Sequence, residues 1–409
     1  MTPKTIFLHD YAGHPFQAEL SRALAARGHR VIHAFFGGDQ GPKGDLQRRP
    51  GDAETLSFLP LNLSAPYSKS DFITRRFQDL EYGRVAAAAI ANSGADIVIS
   101  GNTPTEAQDA VMRAARKSGA KFIFWCQDFY SIAVAKIASK KLPGVGPMIG
   151  AYYSALERRQ MRGADGVVLI TEDFAPLALS WGVARERLHV APNWGALNQI
   201  SVLPKDNAWS REHDLHDKTV FLYSGTIGLK HNPDLLASLA HALRDDPKVR
   251  VVVVASGVGV ERLRSQKRDL GLDNLLLLGL QKFERLPETL ATADVLTAVI
   301  ERDAGTFSVP SKVLSYLCAG RPILLAAPKE NLAAKNVTAI GAGAVVDPDD
   351  QNAWLAAAMS LVAAPELRTR MGAAGRAYAE DNFDLGRVAD RFEAIFTAAL
   401  NNDQRAKAG

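Results

Sequence analysis

Residues 220–233 read Val220-Phe221-Leu222-Tyr223-Ser224-Gly225-Thr226-Ile227-Gly228-Leu229-Lys230-His231-Asn232-Pro233. A short apolar strand runs into glycines, and a helical pattern opens behind the proline. The beginning of the chain has the same form: Ile6-Phe7-Leu8 leads into Asp10-Tyr11-Ala12-Gly13-His14-Pro15-Phe16 and a helical segment at 16–27. Outward from these two points, apolar runs alternate with helical stretches. They are Val31-Ile32, Ile97-Val98-Ile99, Phe122-Ile123-Phe124-Trp125 and Val167-Val168-Leu169-Ile170, then 251–255, 275–278, 295–300 and 323–325. Near-continuous apolar strands separated by helices imply parallel sheets covered on both faces. The expectation is an α/β protein of two doubly wound units facing each other across a cleft, with ligands beyond the carboxyl ends of the strands.

The rhythm breaks twice. Residues 37–70, with Gly37-Gly38, Gly41-Pro42-Lys43-Gly44 and Pro50-Gly51, read as loop with at most a short strand. A polar stretch at 192–218 marks a linker near residue 200. The expected domains are 1–200 and 201–383, which suits 409 residues at about 150 per domain. Apolar residues at 47% and charged residues at 22% are ordinary for a soluble globular chain. A net charge of +4 is too small to imply a nucleic-acid partner. Cys126 and Cys318 lie far apart in apolar runs, which excludes a disulfide framework and a thiolate zinc site and suits a reducing compartment. The first apolar run is too short for a signal-peptide core, and the stretch 142–156 falls short of the roughly 20 residues that span a bilayer. A cytoplasmic location is expected.

Three loops after strands carry candidate chemistry. The Gly13 turn either offers N–H groups to an anion or needs glycine for its backbone alone. Beside Gly225 and Thr226, Lys230 either neutralises a diphosphate or is a solvated surface lysine. In Gly305-Thr306-Phe307-Ser308-Val309-Pro310-Ser311-Lys312, Ser308 suits an N-cap and Pro310 a first helical position, with Gly320 as the stop. A helix starting at about 310 would aim its free N–H groups, with Lys312, at an anion, unless the capping serves stability only. The glycines in 251–259 lack the third member of a dinucleotide fingerprint and read as a structural turn. No metal-ligand spacing occurs.

Several motifs in order resemble the retaining glycosyltransferases of family 4, the glycogen-synthase-like group with two Rossmann-like domains in the GT-B fold. These are Gly13 with Ala23-Leu24-Ala25-Ala26-Arg27-Gly28-His29-Arg30-Val31, Ala164-Asp165-Gly166-Val167-Val168, Val190-Ala191-Pro192-Asn193-Trp194, Leu286-Pro287, Ala293-Asp294-Val295, Ala319-Gly320-Arg321-Pro322-Ile323 and Ala377-Tyr378-Ala379-Glu380-Asp381-Asn382-Phe383. The family's final helix returns to the first domain, so 384–409 is expected to complete it. The chain departs from the family pattern at Thr226, where an arginine is usual, and at Phe307 and Ser315, where a pair of glutamates is usual. The Pro-Ser-Lys variant is similar to transferases of bacterial surface polysaccharides.

The resemblance implies transfer from a nucleotide-diphosphate sugar, UDP-linked by expectation, with retention and without a metal or other cofactor. The donor would lie on Gly13, Gly225, Thr226, Ser308, Val309, Pro310, Ser311, Lys312 and Ser315. Lys230 would act on the diphosphate, and Lys312 would replace the absent arginine charge. The acceptor, a glycan or polyprenyl-linked sugar, would meet His14 and Asn102. Asp128 would either accept the acceptor proton or cap a helix. Between Lys136 and Arg162 the chain carries six basic residues against Glu157, flanking the apolar 142–156 stretch. That pattern suits a peripheral site on an anionic membrane surface, at the inner face of the cytoplasmic membrane, or else a core helix with a solvated basic face. A nucleotide-sugar epimerase of the same fold and a non-catalytic nucleotide-sugar-binding protein are the alternatives.

Overall fold

The computed structural model describes residues 1–38, 43–68, 71–228, 231–302 and 311–406. Lys230, Ser308, Val309 and Pro310 lie outside the described residues. The chain divides into two units, Met1–Pro192 with Leu385–Gly409, and Asn193–Asp384.

The first unit holds a parallel sheet of β1 (Thr5–Asp10), β2 (Arg30–Phe36), β3 (Leu56–Leu61), β4 (Ile97–Gly101), β5 (Lys121–Cys126), β6 (Gly166–Leu169) and β7 (Leu188–Val190). Its order is β3-β2-β1-β4-β5-β6-β7. The central strands are buried along almost their whole length, as continuous Ile/Val/Phe runs require when helices cover both faces. The C-terminal helix Leu385–Ala406 belongs to this unit. Its Phe392 ring lies 4.8 Å from Trp125 at the end of β5, and Arg27 donates to Asp390 and Glu393 at 2.6 Å each.

The second unit holds β8 (Thr219–Thr226), β9 (Val249–Ser256), β10 (Leu275–Leu278), β11 (Val295–Val299), β12 (Ile323–Ala326) and β13 (Gly343–Val346), ordered β10-β9-β8-β11-β12-β13. Phe221, Tyr223, Val251, Val253 and Leu324 share one core cluster with Trp354, whose indole N–H donates to the Leu235 carbonyl at 3.0 Å. Both sheets are doubly wound, and their strand order reverses between β1 and β4 and between β8 and β11. Such switch points open the crevices in which ligands bind.

Residues 193–200 pack in the second unit rather than closing the first. A side chain at Gly195 would meet Cys318 Sγ at 2.4 Å, and Arg376 binds the carbonyls of Ile200 and Cys318 at 2.9 and 2.7 Å.

Candidate functional site

At the first switch point, Asp10 ends β1 opposite Gly101 of β4. Its carboxylate is fully buried and accepts from the N–H of Ala12 (3.2 Å), from the N–H of His14 and from His14 Nδ1 (3.2 Å). The Gly13 N–H turns back to the Asp10 carbonyl. The N–H groups expected to meet a donor anion thus close on the protein's own carboxylate. Gly13 has φ +73°, and a Cβ there would lie 2.8 Å from Leu46 Cδ1. Both features suit a tight turn that only glycine fits.

Asn102, just beyond β4, is one of two non-glycine residues at positive φ among the described residues (+55°). Its Nδ2 lies 3.3 Å from His14 Nδ1. His14 and Asn102 therefore meet, as their place at two adjacent strand ends requires. Burial would lower the His14 pKa, but the Asp10 carboxylate, its hydrogen bond and the charge of Asp128 outweigh that and raise it. Burial likewise pushes Asp10 up, yet His14 and its hydrogen bonds hold the carboxyl below its ordinary value.

Asp128 is exposed and does not cap the following helix, Tyr130–Lys141, whose N-cap is Phe129. The capping acceptor is Glu157, from helix Gly146–Gly163. It takes the N–H groups of Tyr130 and Ser131 at 3.1 Å each and the Ser131 hydroxyl at 2.6 Å. Burial pushes the Glu157 carboxyl up to about 6. In the sequence Glu157 is the one acid in a basic segment, 136–162. A lone acid on an otherwise basic helix was the only signal of its buried role.

At the second switch point, β8 ends in Gly225-Thr226. Gly225 has φ +126°, and a Cβ there would stand 3.3 Å from Lys312 Cε and 4.0 Å from its Nζ. Lys312 opens helix Lys312–Ala319 after Ser311, the N-cap, whose side chain makes no capping bond. Gly320 ends it in the left-handed conformation that a glycine stop supplies. The Lys312 ammonium donates to the Tyr223 hydroxyl at 2.8 Å, and that hydroxyl donates to the Thr226 carbonyl at 2.8 Å. Tyr316, on the same helix, accepts the Ser224 N–H at 3.0 Å and donates to the Thr297 carbonyl at 3.2 Å. Ser311 is exposed and Ser315 half-buried, one turn apart on the helix that carries Lys312. Gly225, Thr226 and Lys312 thus meet, with Tyr223, read from sequence only as a strand residue, joining them, while Ser311 and Ser315 are placed only on the same helix start and helix as Lys312. Gly257 and Gly259 have a packing role: side chains there would meet Ile227 at 2.5 and 2.2 Å.

Among the described residues, no group of three or more His, Cys, Asp or Glu side chains is arranged to hold a metal ion. No described helix is long and apolar enough to cross a membrane.

Residues 13–194 match the glycosyl transferase 4-like domain, and residues 205–378 match the glycosyl transferases of group 1. A putative colanic acid biosynthesis glycosyl transferase, WcaI, of Escherichia coli K12 is 29% identical over 284 residues, 68% of each chain. A D-inositol 3-phosphate glycosyltransferase of Segniliparus rotundus is 30% identical over 198 residues, 44% of this chain and 40% of its own. Among solved structures, Anabaena HepE in complex with UDP and glucose superposes with a TM-score of 0.70 at 13% identity, covering 97% of this chain and all of its own. WaaG, a glycosyltransferase involved in lipopolysaccharide biosynthesis, gives 0.68 at 17% identity over 96% and 99% of the two chains. Two matched domain models spanning most of the chain, on two parallel doubly wound sheets, make this chain a glycosyltransferase of family 4 with the GT-B fold.

Proposed function

We propose that the enzyme transfers a sugar, with retention and without a metal ion, from a UDP-linked donor to a glycan or polyprenyl-linked acceptor in cell-surface polysaccharide biosynthesis. The observation that carries this reading is Lys312 lying across Gly225 beside Thr226, where the family's arginine is missing. A departing diphosphate needs positive charge, and each preorganised donor supplies about 2–4 kcal/mol of transition-state stabilisation. Lys312 and Lys230 are that charge in this reading. Thr226, Ser311, Ser315 and the 308–310 loop hold the rest of the donor, while His14, Asn102 and Asp128 serve the acceptor. The UDP and UDP-glucose bound by Anabaena HepE favour a uridine donor, and the colanic acid assignment of WcaI favours a surface polysaccharide.

The reading includes a cytoplasmic enzyme resting on the inner face of the cytoplasmic membrane. Supporting it, the apolar residues of 142–156 divide between two faces: Gly146, Gly150 and Leu156 are buried, whereas Leu142, Val145, Met148 and Tyr152 are exposed. Helix Phe72–Ala91 adds Ile73, Phe77 and Leu80, exposed at 73%, 67% and 40%. Arg76 on that helix stacks over the Tyr152 ring at 5.9 Å, which makes the two apolar stripes neighbours. Basic residues around exposed apolar side chains match anionic headgroups over acyl chains.

A thermal-shift screen of UDP-, GDP- and ADP-sugars tests the donor, since bound ligand stabilises by mass action. The screen is followed by nucleotide release with and without lipid-linked acceptor. Stabilisation by a UDP-sugar and acceptor-dependent release are expected. Stabilisation without release would leave a binding protein, and acceptor-independent conversion of the sugar would leave an epimerase.

A further inference from the structure

Resting on the transferase reading, we propose that Arg75 and Arg76 bind the diphosphate of a polyprenyl diphosphate-linked acceptor, with Ile73, Phe77 and Leu80 lying along its isoprenoid chain.

The two guanidinium groups are incompletely paired. Arg75 Nε lies 3.9 Å from Asp79 Oδ2, and Arg76 Nε lies 3.6 Å from Glu106 Oε1, both beyond hydrogen-bond distance. The two buried carboxylates bind tyrosines instead. Tyr67 donates to Asp79 at 3.1 Å, and Tyr153 donates to Glu106 at 2.6 Å. The Arg75 fork donates at 3.2 Å to the Tyr130 hydroxyl, which carries no charge, and it lies over the Tyr67 ring at 5.9 Å. Arg22 of the same unit shows the ordinary treatment of a buried arginine: Glu19 and Asp52 at 3.2 Å each, with the carbonyls of Asp45 and Gln47 at 3.1 and 2.8 Å. A half-buried guanidinium held in place by neutral phenols keeps its charge and its fork for an external anion, and a phosphate fits that fork.

The pair stands where an acceptor has to lie. Helix Phe72–Ala91 follows β3 and helix Tyr130–Lys141 follows β5, so Arg75, Arg76 and Tyr130 sit at the carboxyl edge of the sheet. The Tyr67 ring is 5.7 Å from Phe36, and Phe36 is 5.3 Å from Tyr11 in the turn that carries His14. A sugar joined to a diphosphate on Arg75 therefore extends toward His14 and Asn102.

The remaining acids around the pair are occupied by the protein. Asp71 caps its own helix through the N–H groups of Ile73 and Thr74, and Glu157 takes those of Tyr130 and Ser131. Ile73, Phe77 and Leu80 recur at i, i+4 and i+7 on the exposed side of the helix, with Arg76 among them. An anion carried on a long apolar chain complements both features at once. A bilayer of anionic headgroups would match the stripe and Arg76, but a half-buried, oriented guanidinium at Arg75 suits one discrete phosphate group.

The test is flotation of the full chain with phosphatidylcholine vesicles carrying undecaprenyl diphosphate, in salt that screens surface charge. The reference is the same vesicle with phosphatidylglycerol at equal charge. Binding to the first should be at least about tenfold tighter. Arg75→Gln and Arg76→Gln should each lose about tenfold of it, with melting temperature and stabilisation by UDP unchanged. Arg75→Lys should recover only part, because an ammonium keeps the charge without the fork. Farnesyl diphosphate should displace the protein at least about tenfold better than inorganic diphosphate, and Phe77→Ser should narrow that gap. Should Arg75→Gln fail to fold, Arg76→Gln and the competition decide. Equal binding to the two vesicles, equal competition by the two diphosphates, or variants that change only the oligomeric state would overturn the proposal and leave the transferase reading intact. A wild type that binds the diphosphate vesicles but gains no stability from UDP would support the lipid site and remove the donor reading.

Discussion

The Lys312 ammonium lies 2.8 Å from the Tyr223 hydroxyl and 4.5 Å from the centre of the same ring. One aromatic residue thus holds the cation twice, by its face and by its oxygen. The oxygen also binds the Thr226 carbonyl, so the start of helix Lys312–Ala319 is fastened to the loop after β8. A cation–π contact of this kind contributes about 0.5–2 kcal/mol, depending on its exposure. That offsets part of the desolvation of a half-buried lysine and fixes where its charge stands.

Lys312→Ala should lower the rate of UDP release at least about a hundredfold while the melting curve stays close to the wild type. Lys230→Ala should do the same. Tyr223→Phe removes one neutral oxygen and keeps the ring, so a loss of roughly three- to tenfold is expected. Steady-state kinetics on the three variants checks the order.

Gly225→Ala should cost about 1–2 kcal/mol of stability, because φ +126° disfavours a side chain and the new methyl meets Lys312 at 3.3 Å. UDP affinity should fall with it as Lys312 is displaced. Gly271→Ala is the control: φ is +61°, nothing lies within 4 Å, and stability should drop by about 1 kcal/mol with UDP affinity unchanged. Denaturant melts and UDP titrations separate the two.

His9 and His33 are buried, and burial pushes both down to about 4. Their folded pKa values lie below the unfolded value near 6.5, so the unfolded chain binds the protons first. Stability should therefore fall as pH drops from 6.5 toward 4, by about 2 kcal/mol per histidine at pH 5. His33 keeps a hydrogen bond to Ser21 Oγ, and its Nε2 has no partner among the described residues. His33→Gln should reduce the loss of stability between pH 7 and 5 by one histidine's share. An unchanged slope in urea melts at the two pH values would assign the acid sensitivity to other groups.

The two sheets were legible because their central strands are buried on both faces and so are written as unbroken apolar runs. The edges were not. β7 and β13 are half-buried, and β3 is buried only at its ends, Leu56 and Leu61, with Pro60 between them, which leaves no continuous run to read. In the site, Gly225 and Lys312 were legible as separate residues through their place after strands, but 86 residues separate them in the chain. Only the order of β8 and β11 brings them together. Asp10 went unremarked, although an acid at a strand end four residues before a histidine was its signature. The stripe Ile73-Phe77-Leu80 was also missed. Its i, i+4, i+7 spacing is the pattern of a core-facing helix, and only the fold reveals that it faces outward.

The proposed membrane surface can be tested by itself. The full chain should sediment with vesicles of phosphatidylglycerol and phosphatidylcholine, and salt should weaken the binding. Lys140→Gln with Lys141→Gln should reduce the salt-sensitive part. Phe77→Ser with Met148→Ser should reduce what persists at high salt. Equal sedimentation with purely neutral vesicles, unaffected by either pair, would assign these side chains another role.

The most direct test of the account is the configuration of the transferred sugar, followed by proton NMR as the enzyme consumes UDP-glucose in excess EDTA. UDP should appear without added metal, and the first sugar product should carry the α-anomeric signal of the donor. A β-anomeric first product would contradict retention. Activity that appears only when magnesium or manganese is restored would contradict the assignment of the diphosphate charge to lysine.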